Sequence, residues 1–476
     1  MTHESTGTIA PTQSYRQTSR ELAYLSAPIA LTQLAQVALT TTDTVMMGLI
    51  SIQALAAGGL AITLFNQLRT MGVGLVTAVG NLISGAVGRG ERTGDTTPSE
   101  ATAEEVRDIV RSSFLIATVA GIVGGMLLVG LGYGLRFVGQ DAEVLDMALP
   151  MLIALAPGLV PCLWFQVIRQ FTVGMRRPKA LLVITILSVL FNIALNWAFI
   201  YGTFGLPALG LPGIGVSTSL VYLLTFGIFA AMVRRDDVLS PMLSLAMHRS
   251  RPETVRTILR LGVPIAGTYG SEAGLFSVTA VIIGSFGAPA LAAHTVVNQL
   301  TYIVFQVSVG ISHGSSILVS RFVGLGEAIK SRLTARVAFS HAAIVIAVVG
   351  VVYLLAPTWV LSLFMDTSDT TAVSIATVLL AIAIFQQFAD SAQNIGIGLL
   401  RGVGDTASSF GITLIGYWLV GLPVGLLFAF GFGLDTYGMW IGLSCGLLTA
   451  AILLLRTFQQ RLRTIETQPA SCPEEL

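Results

Sequence analysis

The stretch from Pro28 to Glu91 recurs, with drift, from Pro264 to Glu327, so two blocks of the chain share one frame 236 positions apart. PIALTQLAQVALTTTDTVMMG is answered by PIAGTYGSEAGLFSVTAVIIG. Gly48 falls opposite Gly284, Ala54-Leu55-Ala56-Ala57 opposite Ala290-Leu291-Ala292-Ala293, and Gly88, Gly90 and Glu91 opposite Gly324, Gly326 and Glu327. A repeat of this length implies two copies of one structural unit facing each other. In a membrane, such internal symmetry suits a protein that opens to one side and then the other.

Composition places the repeat in lipid. With 54% hydrophobic and 11% charged residues, the chain lacks the charge needed to cover a water-facing surface. Long apolar runs follow one another, separated by short segments that hold nearly all the Lys and Arg. The pattern predicts an all-α polytopic membrane protein with twelve transmembrane helices, at about 22–49, 54–87, 108–133, 144–171, 179–202, 212–233, 254–284, 290–322, 333–356, 371–400, 408–430 and 436–456. The expected organisation is a cytoplasmic tail (1–20), an N-lobe (21–233), an inter-lobe linker (234–253), a C-lobe (254–456) and a second cytoplasmic tail (457–476). Residues 91–108 are expected to form a polar loop.

Charge placement gives the orientation. Arg16 and Arg20 precede the first helix, and the even-numbered helices are followed by Arg89 and Arg92, by Arg176, Arg177 and Lys179, by Arg234 to Arg260, by Arg321 to Arg336, by Arg401 and by Arg456 to Arg463. The opposite side carries Arg136 with Asp141, Glu143, Asp146, Asp366, Asp369 and Asp435. Cytoplasmic loops are enriched in Lys and Arg, so both termini are expected in the cytoplasm. Six crossings per copy make the repeats parallel, related by an axis along the membrane normal. The polar N-terminus lacks the apolar core of a signal peptide. Cys162, Cys445 and Cys472 are too scattered for a disulfide framework. The net charge of +1, without basic-aromatic interleaving, gives no basis for nucleic-acid binding. The absence of a Gly-rich GK[ST] loop argues against a nucleotide partner.

Three carboxylates interrupt apolar spans. Asp43 lies in TTTDTVMMG, Glu272 in YGSEAGLF and Asp390 in FQQFADSAQ. An ionised carboxylate in lipid costs several kcal/mol, so each must face water, find polar partners or take a proton. The repeat sets Thr279, and not Glu272, opposite Asp43, so the copies do not share their acids. Arg69 offers Asp43 a static ion-pair partner, the structural alternative to an ion-coupling role. Asn192 and Asn196, spaced i,i+4, share one helix face, and their carbonyl oxygens suit a hard cation or a protonated acid. Interhelical hydrogen bonding is their other reading. His294, at the start of the eighth helix, is the histidine best placed to titrate. Trp164, Phe165, Tyr269, Phe276, Tyr302, Phe305, Phe385 and Phe388 are candidate walls of a partly apolar cavity, where aromatic faces attract organic cations. No His/Cys/acid cluster suits a transition metal.

TTDTVMMG, ALAAHTVVNQ, the Pro28/Pro264 duplication, NIALNWAF and QNIGIGLLRGVGDT together resemble the multidrug and toxic compound extrusion family, in particular its bacterial NorM-like branch, over about residues 20–460. The resemblance implies two six-helix lobes around a central cleft in the bacterial inner membrane. It also implies export of lipophilic, often cationic compounds in exchange for Na⁺ or H⁺, with no other cofactor, and a single chain as the working unit. Asp43 with Asn192 and Asn196 matches the family's N-lobe cation region, and Glu272 with Asp390 its C-lobe cation site. Na⁺ is expected at one set or the other. Arg69 has no counterpart in that pattern and is expected to tune the charge of the N-lobe. The competing reading is an exporter or flippase of lipid-linked sugars. It is disfavoured by the acidic character of the intramembrane charges. A membrane-embedded enzyme and a purely structural role are weaker alternatives, since neither a catalytic cluster nor a structural need for mid-span acids is evident.

Overall fold

The computed structural model describes residues 14–92, 99–138, 142–365 and 370–467. The first half of the chain, which carries the first copy of the repeated segment, comprises α1 (Tyr15–Ile50), α2 (Ile52–Thr77), α3 (Val79–Arg92), α4 (Glu100–Gly134), α5 (Ala142–Leu155), α6 (Leu159–Gly174), α7 (Lys179–Tyr201) and α8 (Leu211–Arg234). The second half, with the second copy, comprises α9 (Pro252–Gly284), α10 (Ala288–Gly324), α11 (Ala328–Leu355), α12 (Pro357–Ser362), α13 (Thr370–Gly402), α14 (Thr406–Leu414), α15 (Leu422–Leu426) and α16 (Asp435–Thr467). Among the described residues, eleven helical stretches are long and apolar enough to cross a membrane. The 33-residue α9 accompanies them but carries Glu272 in its middle and Glu253, Arg256 and Arg260 near its start.

Several expected helices are broken or longer than the pattern suggested. Pro157 lies in a tight turn, Ala156–Gly158, between α5 and α6, and Ser219 donates to the Ala154 carbonyl beside this break at 2.7 Å. Between α14 and α16, two π-helical segments, Ile415–Gly421 and Leu427–Gly431, flank α15 and its Pro423. Proline removes a backbone donor, and widened turns re-register the helix around it. The expected polar loop 91–108 is mostly helix. α3 ends at Arg92, α4 starts at Glu100 behind the cap Ser99, and residues 93–98 lie outside the described residues. Asp108 is buried inside α4. α16 runs past the expected boundary at 456 because Phe458 and Leu462, one turn apart, bury into the core, and Arg461 and Glu466 pair with Asp405 and Arg332. Asp141, Asp366, Asp369 and Cys472 lie outside the described residues.

Core packing divides the molecule into a joined end and a parted end. At the arginine-rich end, one apolar core runs through both repeats, from Leu22 and Ile29 through Val79, Phe114 and Phe171 to Ile317, Ile395 and Leu454. At the opposite end there are separate cores. One draws only on the first repeat, including Met47, Phe65, Leu152 and Ile214. The other draws only on the second, including Ile283, Val297, Leu380 and Trp440. Two bodies therefore share one core at the arginine-rich end and pack independently at the other.

The junction shows why the repeat motif is glycine-rich. A Cβ on Gly88 would stand 2.5 Å from the Arg321 carbonyl oxygen, and one on its repeat equivalent Gly324 would stand 2.5 Å from the Gly85 carbonyl oxygen. α3 and α10 therefore meet backbone to backbone in a reciprocal contact that only glycine permits, the small-residue packing that brings membrane helices close. Asn81 locks this contact by donating to the Ser316 carbonyl at 3.0 Å and its hydroxyl at 2.7 Å, and Ser84 donates to the Ile317 carbonyl at 2.9 Å. Glu91 and Arg321 pair across the same seam. Thr254 and the Arg251 backbone donate to Asp108 from the other repeat.

Candidate ion sites and the cleft

Gln36, Thr40 and Asp43 follow one another along α1 at i, i+4 and i+7, so a polar stripe runs up an apolar helix. That stripe meets α7 where Asn192 and Asn196 present their shared face. Both amides donate to Oδ1 of Asp43, Asn192 at 3.1 Å and Asn196 at 2.7 Å, and all three residues are buried. Asn196 also reaches Asn192 Oδ1 at 3.4 Å. Its own carbonyl oxygen has no hydrogen-bond partner. About 30 Å³ is free in a pocket lined by Asp43 and Asn192 with Gln36, Asn66, Thr218 and Tyr222, room on the scale of one water or ion. The Asp43 carboxylate, the amides of Asn192, Gln36 and Asn66 and that space form a donor set of the kind a hard cation takes, and one that equally hosts a proton. Gln36, Asn66, Thr218 and Tyr222 were not anticipated. The α1 stripe and the i,i+4 pair Thr218/Tyr222 were the available signals.

Arg69 lines the same pocket but is not the static ion-pair partner of Asp43. Its guanidinium donates to Asn66 Oδ1 at 3.2 Å and Gln36 Oε1 at 3.3 Å, and no Asp43–Arg69 pair lies within ion-pair distance. The amides of α7 occupy the near side of the carboxylate instead.

In the second repeat, α9 and α13 bring Glu272 and Asp390 together as electrostatic neighbours. Both are partly exposed, and no Lys or Arg among the described residues pairs with either. The Asp390 Oδ1 and Gln393 Oε1 atoms are buried without partners. Tyr417 neighbours both acids and accepts from Gln393 at 2.8 Å. Tyr417 lies in the π-helical segment after α14, and its neighbour Trp418 donates to Ser271, next to Glu272, at 2.8 Å. The widened turn thus aims two successive aromatics at the acid pair, which no periodic reading of 408–430 reveals.

Other expectations change. His294 is buried, and Nδ1 accepts the indole N–H of Trp440 at 3.1 Å. An indole nitrogen only donates, so Nδ1 of His294 is engaged as an acceptor within the second body. Trp164 donates to Thr118 at 2.8 Å and packs on Phe226, while Phe165 packs on Phe229. Both belong to packing within the first repeat and not to the cleft wall. Tyr302 and Phe305 stack with centroids 6.3 Å apart, and Tyr302 neighbours Arg69 of the other repeat. Phe276 is partly exposed, and Phe385 and Phe388 are exposed on α13. The intramembrane charge is also less acidic than expected. Arg169 and Arg401 are both 3% exposed and turn inward. Among the described residues, no group of three or more His, Cys, Asp or Glu is arranged to hold a metal ion.

Two helical bodies that share a core at one end and part at the other, each with a buried or half-buried acidic centre, have the form of a membrane carrier, and the comparisons with known proteins give its family. The MatE family model matches residues 28–198 and 264–427, and the chain belongs to that family, a MATE transporter closely related to the bacterial NorM-like proteins and not an enzyme. The probable multidrug resistance protein NorM of Pseudomonas aeruginosa is 36% identical over 440 residues, covering 91% of this chain and 88% of that protein. Its counterpart in Pseudomonas putida is 32% identical over 462 residues, covering 96% of each. Among solved structures, a MATE-family multidrug resistance transporter in its outward-facing conformation superposes with a TM-score of 0.84 at 18% identity, covering 95% of this chain and 97% of that one. The eukaryotic MATE transporter AtDTX14 gives 0.79 at 19% identity, covering 95% and 99%. At these identities the likeness shows the fold.

Proposed function

We infer that this chain exports lipophilic, often cationic compounds across the bacterial inner membrane by secondary antiport with Na⁺ or H⁺. The arrangement this reading requires is twelve crossings in two parallel six-helix repeats, with both termini in the cytoplasm. The arginine-rich joined end then lies at the cytoplasmic face, and the cleft opens outward. The observation that carries the reading is the presence, in each body flanking the cleft, of a carboxylate centre without a basic partner at ion-pair distance. Such a centre is completed by a mobile cation or proton, and so its occupancy can change during a cycle. Asp43 with Asn192 and Asn196 serves in the first body and Glu272 with Asp390 in the second.

In the cycle, substrate enters from the cytoplasm or inner leaflet while the cleft opens inward. The bodies rock, the cytoplasmic junction closes, and external Na⁺ or H⁺ binds the acids and weakens retention of a cationic substrate. Return with the ion bound completes the exchange. The ion must bind the two conformations with different affinity, since equal affinity shifts no population. A single copy contains every group the cycle uses. The second reading, export of lipid-linked sugars, is favoured by the buried arginines, whose guanidinium groups suit phosphate. The sugar reading leaves the acids without a role, and the multidrug reading accounts for both the acids and the NorM relatives.

The test is efflux from sealed proteoliposomes under separately imposed Na⁺ and H⁺ gradients. One or both gradients should drive a lipophilic cationic dye against its own gradient. Failure of both gradients to do so, with the protein correctly inserted, contradicts antiport.

A further inference from the structure

Arg169 and Arg401 are buried, and the chain treats them unlike Arg111 and Arg321. Arg111 is held by Glu104 and Asp108, and Arg321 by Glu91. Arg169 and Arg401 have no carboxylate within ion-pair distance among the described residues. Arg169 donates to Gln33 Oε1 at 3.0 Å, and Arg401 donates through Nε to the Ser316 hydroxyl at 3.1 Å. One terminal nitrogen of Arg401, Nη2, is buried with no partner. The two guanidinium groups come from opposite bodies and feel each other, with His313 and Arg69 as further neighbours and no acid among them. Buried positive charge with an unsatisfied donor favours an anion beside it.

The caps over these arginines obey the repeat. Gln33 in α1 and Tyr269 in α9 occupy equivalent positions of the duplicated segment. Gln33 sits on Arg169, and Tyr269 neighbours Arg401. Both caps are partly exposed, and Gln33 reaches across to Gln306 of the other body at 3.5 Å. Each arginine is therefore covered by one partly exposed side chain, and the Gln33 cap touches the other body.

We propose that Arg169 and Arg401, capped by Gln33 and Tyr269, form an anion subsite that takes the carboxylate of a zwitterionic amphiphile. This deepens the export reading and rests on it. Guanidinium groups present a planar fork of donors matched to carboxylate and repel a bare cation. The acids on the flanks then serve the cationic end of the same substrate, and the subsite discriminates among substrates by their anionic end.

The test uses a cationic xanthene dye in two forms, the methyl ester and the free carboxylic acid, with full-length protein in proteoliposomes. Arg169→Gln and Arg401→Gln should each lower efflux of the free acid by about tenfold and leave the ester within about twofold of wild type. Arg169→Lys and Arg401→Lys should restore part of the loss. Fluorescence polarisation of the two dyes with detergent-solubilised wild-type protein gives a readout independent of variant folding, with the free acid binding more tightly. Equal losses for both dyes, no loss for either, or no preference for the free acid in binding would each overturn the proposal. So would an equal response of both dyes to replacing chloride with a bulky organic anion, which would assign the arginines to a free halide. Wild-type protein that exports neither dye under any gradient, while still preferring the free acid in binding, would remove the export reading and leave the subsite standing.

Discussion

Asp43→Asn should abolish the ion-driven component of efflux while leaving the protein folded. Two amide donors converge on one oxygen of Asp43 at 3.1 and 2.7 Å, and an Asn carbonyl at the same place accepts both, so the packing of α1 on α7 survives. What disappears is the one group in the pocket that exchanges a proton or balances a cation. The ion then has no affinity difference between conformations to transmit, and coupled efflux should fall by about tenfold or more, to the level seen without a gradient. The measurement is initial efflux rate in proteoliposomes, with thermal unfolding in detergent to verify folding. Full gradient-driven efflux in the variant would remove Asp43 from the mechanism.

Replacing both acids of the second body, Glu272→Gln with Asp390→Asn, should have a comparable effect for a different reason. Neighbouring carboxylates without a basic partner repel unless a proton or cation lies between them. Neutralising both removes the repulsion that an ion relieves, so the second body loses its dependence on the ion. The double variant should bind a cationic dye with similar affinity in the presence and absence of Na⁺ and across pH, whereas wild type should release it as the coupling ion is raised. An unchanged ion response in the double variant would assign coupling to Asp43 alone. A response lost in both sets would make the two bodies jointly necessary.

The sequence made some of this site legible and hid the rest for physical reasons. Helical spacing placed Asn192 and Asn196 on one face, and the cost of a charge in lipid marked Asp43, but the meeting of α1 with α7 belongs to the fold. Arg169 and Arg401 were hidden by their position. Each lies within a few residues of a helix end on the arginine-rich side, where counting charges along the chain cannot distinguish an arginine that turns inward from one that meets water. Tyr417 was hidden because the π-helical turns that aim it break the 3.6-residue period on which a helix is read. The partner of His294, Trp440, is distant in sequence and so could not be read from the pattern around it. The reciprocal contact of Gly88 and Gly324 was visible in outline, since a duplicated glycine motif implies a duplicated close approach.

The central claim is that the two bodies must separate at the arginine-rich seam during every cycle. Asn81 of α3 and Ser316 of α10 touch across that seam at 2.7 Å, so Asn81→Cys with Ser316→Cys, in a background with Cys162, Cys445 and Cys472 replaced, offers a bridge that reports on it. Gradient-driven dye efflux should be lost when the bridge is oxidised and recover on reduction. Undiminished efflux from fully cross-linked protein would contradict the account.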